Sequence, residues 1–133
     1  MLAKVQLTIF EAMESLRQQK VARLLQKALG SFFLSDGKSF NPGGLTSVTR
    51  VRVSPDLSVA RIYLSMLGPA SPKVILEEID DASKGIRFKL GKELGKSLRI
   101  VPDLHFFHDD SAEYAQRIDS LLQTLDKPKG LEG

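Results

Sequence analysis

The chain has no cysteine, so it can form neither a disulfide framework nor a thiolate metal site. That absence fits a reducing compartment. No apolar run approaches the length of a membrane span. The opening residues, MLAKVQLTIFEA, carry one Lys and a short apolar patch broken by Gln6, with no small-residue cleavage site. They make a poor signal peptide, so a cytoplasmic location and no membrane partner are expected. Also missing are a Ser/His/Asp constellation and a nucleotide-binding fingerprint. With no nucleophile, metal site or base to name, the chain is expected to be neither an enzyme nor a cofactor carrier.

What is present is ordinary for a soluble globular protein: 133 residues, 42% hydrophobic and 26% charged. This length suits one domain with a modest core, in which 1–12 is a loose extension, 13–125 the domain and 126–133 a flexible tail. The net charge is +3 and the pI about 9.3. Such a bias favours nucleic acid only weakly, so its meaning depends on whether Lys and Arg cluster.

Residues 50–67, RVRVSPDLSVARIYLSML, organise the rest. Ala60, Ile62, Leu64 and Met66 alternate with Val59, Arg61, Tyr63 and Ser65, a period of two that places one apolar row on a single face. A first strand, Leu45 to Ser54, carries Arg50 and Arg52 on one side. Ser54-Pro55-Asp56 has turn chemistry, because Pro fixes φ and Asp can bond its own backbone. Such a hairpin is marginal alone and needs a third strand and covering helices.

Upstream, residues 14–33 form an amphipathic helix with Val21, Leu24, Leu25, Ala28 and Phe32 in one stripe. Arg17, Lys20, Arg23 and Lys27 occupy a neighbouring arc with no acid between them. That arc is either a solvated face or a phosphate-contacting edge. SDGKSFNPGG (35–44) reads as a connecting loop; Gly43-Gly44 lacks the lysine and the following helix of a phosphate cradle.

Downstream, Ser71 caps and Pro72 begins a helix that turns Val74, Ile75 and Ile79 inward and Glu77, Glu78, Asp80 and Asp81 outward. The pattern breaks around Ala82-Ser83-Lys84-Gly85, where a kink or short turn is expected because glycine is unfavourable in a helix interior. A helix over 86–98 then buries Ile86, Leu90, Leu94 and Leu98. Lys84, Arg87, Lys89, Lys92, Lys96 and Arg99 are six basic residues in sixteen positions against one acid, Glu93. Together with the first helix they are the best candidate for a nucleic-acid footprint. IVPDLHFF (100–107) reads as the third strand, limited by Pro102 to an edge or to its first residues. Asp110 to Glu113 resembles a capping box for a last helix, 111–125. His105 and His108, three apart in a strand, point to opposite faces and cannot easily share a metal.

A three-stranded sheet with helices on one face, plus a C-terminal helix, is an α+β arrangement, and the element order is that of a type II KH-like domain. Three segments, RQQKVARLLQKAL (Arg17–Leu29), VRVSPDLSVARIYLS (Val51–Ser65) and LRIVPDLHFFHDDS (Leu98–Ser111), resemble the bacterial ribosome-binding factor A family. The resemblance implies a non-catalytic assembly factor that binds the free 30S subunit and its 16S rRNA. It also implies a role in late rRNA processing, importance in the cold and release with help from a GTPase. In place of the GXXG loop of KH domains, that family carries an Ala-x-Gly kink, and here Gly85 comes one position late. The alternative is a protein-interaction module docking through the acidic helix 74–81 or the last helix. Nothing suggests an obligate dimer, so a monomer is expected.

Overall fold

The alternation in the central segment produces the hairpin it predicts. In the computed structural model, which describes residues 14–132 (in the last helix, side chains at 111 and 114–124), β1 spans Leu45–Val53 and β2 spans Val59–Leu67. They pair antiparallel, with Val53 opposite Ala60 and Thr46 opposite Met66. Ala60, Ile62 and Leu64 are fully buried. The turn is closed by backbone bonds from Ser54 N–H to Val59 O (2.9 Å) and from Leu57 N–H to Ser54 O (2.9 Å). Leu57 takes the left-handed backbone, with φ of 62°, a conformation uncommon outside glycine. A bulge between Val48 and Arg50 sets Thr49 apart. Its hydroxyl lies 2.6 Å from the Asp109 carboxylate and 3.2 Å from the Tyr63 carbonyl.

The first helix, α1 (Leu16–Leu34), begins at a full capping box. Ser15 Oγ accepts from Gln18 N–H at 3.1 Å, and Gln18 Oε1 accepts from Ser15 N–H at 2.8 Å. Gln18 is buried, and its Nε2 donates to Val53 O at 2.9 Å, tying the helix start to the end of β1. The buried stripe runs through Val21, Leu25, Ala28, Leu29 and Phe33. Leu24 and Phe32, expected at its centre, are half-buried flanks. Phe33, one step round from Phe32, meets Phe106 edge-on at 6.3 Å and sets the rotation of the helix.

After β2 the chain crosses back through α2 (Pro72–Asp81) and α3 (Ser83–Leu94). Pro72 sits in the first turn as expected, but the Ser71 side chain makes no cap hydrogen bond. Ile75 and Ile79 are buried, whereas Val74 is 51% exposed rather than inward, because only the i, i+4 line faces the sheet. The break falls at Ala82 (φ −92°, ψ 3°), within the expected 82–85 stretch, and Gly85 lies inside α3. α3 ends at Leu94, short of the expected Leu98; Ser97 and Leu98 N–H groups both return to the Leu94 carbonyl.

The third strand, β3 (Asp103–His108), pairs parallel to β2, giving the order β1-β2-β3 with β3 at an edge. It starts three residues later than the sequence suggests. Pro102 stands just ahead of it, buried, where its missing N–H removes no ladder bond. α1, α2 and α3 cover one face of the sheet over a core that includes Leu25, Leu29, Ile62, Leu64, Ile75 and Ile79. The last helix, α4 (Ser111–Glu132), is longer than the expected 111–125 and takes in most of the segment read as a tail. Among the described residues it makes no substantial contact with other elements. The extension 1–12 lies outside the described residues.

Candidate nucleic-acid interface

Helical periodicity places Lys20, Arg23 and Lys27 opposite the buried Leu25–Leu29 line, with Arg17 on the flank of that arc. All four side chains are exposed and have no ion pair among the described residues. α1 and α3 touch, and both belong to the layer that covers the sheet. The two basic arcs therefore belong to the same helical layer and point to solvent.

The second basic cluster divides when its partners are known. Lys84, Lys96 and Arg99 are exposed, without ion pairs among the described residues. Lys89 pairs with Asp36, at the end of α1, and lies 5.8 Å from the Phe32 ring centroid. Lys92 sits 4.8 Å over the Phe88 ring. Arg87 is different in kind. Its Nε and Nη2 donate to Val101 O at 3.0 and 2.8 Å, and its Nη1 pairs with Asp103 at 3.0 Å. Its guanidinium fork joins α3 to the start of β3.

Two apolar residues among these cations escaped the sequence reading. Phe88 is 67% exposed and Ile100 74%. A shallow groove between α3 and the segment before β3 is lined by Lys84, Arg87, Phe88, Gly91, Lys92 and Val101. The available signal was a phenylalanine off the Ile86–Leu90 stripe, ringed by lysines. An exposed ring beside cations is a surface on which a flat base can stack.

A separate acidic group lies on α2. Glu77, Glu78, Asp80 and Asp81 are exposed on α2. Partial burial, then the neighbouring Asp81 charge, pushes the Asp80 carboxyl above its ordinary range, and the attraction of His105 opposes this. His105 and Phe107 face outward on β3 while His108 shares the inward row with Leu104 and Phe106, so the histidines diverge as expected. Among the described residues no three His, Asp or Glu side chains group as a metal site. The chemistry this surface offers is attraction of a polyanion.

These elements define a class, the α+β domains of type II KH-like order, here with a basic helical layer and a break at Ala82. The bridge-region backbone at that break is open to alanine, so the turn forms although Gly85 comes one position late. The chain belongs to the ribosome-binding factor A family, whose model, described as Ribosome-binding factor A, matches residues 17–122. A protein of that name from Cytophaga hutchinsonii is 42% identical over 117 residues, 88% of each chain. Its counterpart from Chlorobaculum tepidum is 35% identical over 112 residues, 84% of this chain and 92% of that one. The crystal structure of ribosome-binding factor A from Thermus thermophilus shares the fold, with a TM-score of 0.57 at 22% identity over 68% of this chain and 94% of that one. A Thermus thermophilus homology model fitted into a cryo-EM map of a 30S complex with that factor is similar too, with a TM-score of 0.53 at 22% identity, covering 65% and 89%.

Proposed function

We propose that this protein is a non-catalytic assembly factor that binds the free 30S subunit through its 16S rRNA and assists late processing of that rRNA, including in the cold. The observation that carries the reading is family membership over nearly the whole described domain. The exposed cations of α1 and α3 support it physically, because phosphate neutralisation supplies most of the sequence-independent affinity for RNA. In this reading Arg17, Lys20, Arg23, Lys27, Lys84, Lys96 and Arg99 contact phosphates directly. Lys92 flanks the Phe88 groove and Arg87 shapes it from within, while Lys89, paired with Asp36, adds charge on the α1 side. The protein acts as a cytoplasmic monomer and leaves the subunit with the help of a ribosome-associated GTPase.

Co-sedimentation with purified small subunits, large subunits and whole ribosomes at two salt concentrations tests this. Selective association with free small subunits is expected, with a log–log salt slope of roughly −0.7 to −0.9 per neutralised phosphate. Joint charge reversal of Lys84, Lys96 and Arg99 is expected to weaken binding by roughly tenfold or more at moderate salt. Binding that ignores both salt and the reversal favours a second reading, docking on protein through α4. That helix presents Tyr114, Ile118, Leu121 and Leu122 exposed along one side.

A further inference from the structure

Among the described residues the helices cover only one face of the sheet, and the register fixes what the other face presents. Two adjacent rungs run across all three strands: Arg50 opposite Tyr63 opposite Phe107, and Arg52 opposite Arg61 opposite His105. Tyr63 and Phe107 stack at 5.4 Å with 27° between their planes. Phe107 is 41% exposed and Tyr63 half-buried, so the pair offers ring surface to solvent. Three arginines surround it. Arg52 and Arg61 stand directly opposite each other, a like-charge pairing that works against sheet stability. Glu14 answers one of them, Arg52, at 2.7 Å, while Arg61 is exposed. The one acid of β3 on this face, Asp103, is already paired with Arg87.

We propose that this uncovered face is a stacking platform for unpaired RNA, on which one base lies against the Phe107–Tyr63 pair while Arg61 takes an adjacent phosphate. The inference rests on the RNA-binding reading above and adds a second surface on the opposite side of the sheet from the basic helices. Charge complementarity and ring chemistry select this occupant. An anionic chain matches the exposed Arg61, and a base has a flat π-face for the exposed rings. A duplex, whose bases are already stacked, can offer only its phosphates.

The composition supplies a direct probe. The chain has no tryptophan and two tyrosines, so in a Tyr114→Phe background Tyr63 is the only tyrosine left to emit. This full-length variant is titrated with a short end-labelled single-stranded RNA, and with the same sequence as a duplex. Anisotropy of the label reports total binding, and tyrosine emission, corrected against a free tyrosine derivative, reports the sheet face. Saturable quenching is expected with the single strand, at the concentrations where anisotropy rises, and not with the duplex. Phe107→Leu should weaken single-strand binding by roughly fivefold to a hundredfold. Arg61→Gln, at an exposed position that does not threaten folding, should lower the salt slope by about 0.7. Unchanged tyrosine emission through saturation, or unchanged affinity in both variants, overturns the platform while leaving the helical surface as the RNA contact. No anisotropy change with any RNA overturns the platform and the RNA-binding reading together.

Discussion

Asp56 shows how much one exposed side chain can organise. A single carboxylate oxygen accepts from Ser54 Oγ and Ser58 Oγ at 2.7 Å each, and from Ser58 N–H at 3.1 Å. These bonds favour the charged form and lower its pKa to about 2, the Ser54 bond first. A group depressed on folding contributes stability above its unfolded value, and that contribution fades as pH falls from about 4 towards 2. Thermal melts of Asp56→Asn should therefore show a lower Tm than the parent at neutral pH, with the two curves converging as pH drops through that window. Equal Tm values at pH 7 would remove Asp56 from the turn's stability. Here the turn chemistry read from Ser54-Pro55-Asp56 was sound. The left-handed backbone at Leu57 was not legible, because nothing in a leucine announces it.

Among the elements, two glycines carry opposite expectations. Gly85 lies inside α3, and a Cβ there would meet open space. Gly85→Ala should raise stability by about 0.5–1 kcal/mol, since alanine loses less backbone freedom in a helix. At Gly44 a Cβ would fall 2.2 Å from the Leu67 carbonyl oxygen and 2.6 Å from Asn41 Oδ1. Gly44→Ala should cost about 2 kcal/mol or more, as the corner joining the start of β1 to the end of β2 must shift. Urea unfolding of both variants checks the pair of signs. The contrast also marks where sequence reading ran out. Period-two alternation revealed β2, and the spacing of Val21, Leu25 and Ala28 revealed α1, because both patterns are local. The position of the helix break was not local. Composition narrowed it to residues 82–85, and within them the burial of Ile79 on one side and Ile86 on the other is met by a break at Ala82. The basic residues of 84–99 were legible as a cluster, but their separate roles were not. Nothing in the sequence places Val101 O within reach of Arg87, or Asp36 beside Lys89.

For the whole molecule, the described residues of α4 make no substantial contact with the layers that form the core. Among the described residues, every member of the buried hydrophobic core falls between Val21 and Phe106. Truncation after Asp110 should therefore shift Tm by no more than a few degrees, while removing the exposed apolar stripe. A large loss of Tm in differential scanning calorimetry would place α4 within the cooperative unit.

The parallel pairing of β2 with β3 has a consequence for the order in which the molecule assembles. α1, β1 and β2 follow one another with short connections, so their contacts close small loops and can form early. β3 must wait until α2 and α3 have crossed the sheet, and the Arg87 fork then latches its first rung to α3 through Val101 and Asp103. Lysine lacks that fork, so Arg87→Lys is expected to cost about 1 kcal/mol. The loss should appear almost wholly as faster unfolding, with the refolding arm of the chevron unmoved. By the same logic β3 is the first strand of the sheet to open, and its amides should exchange with solvent ahead of those in the hairpin.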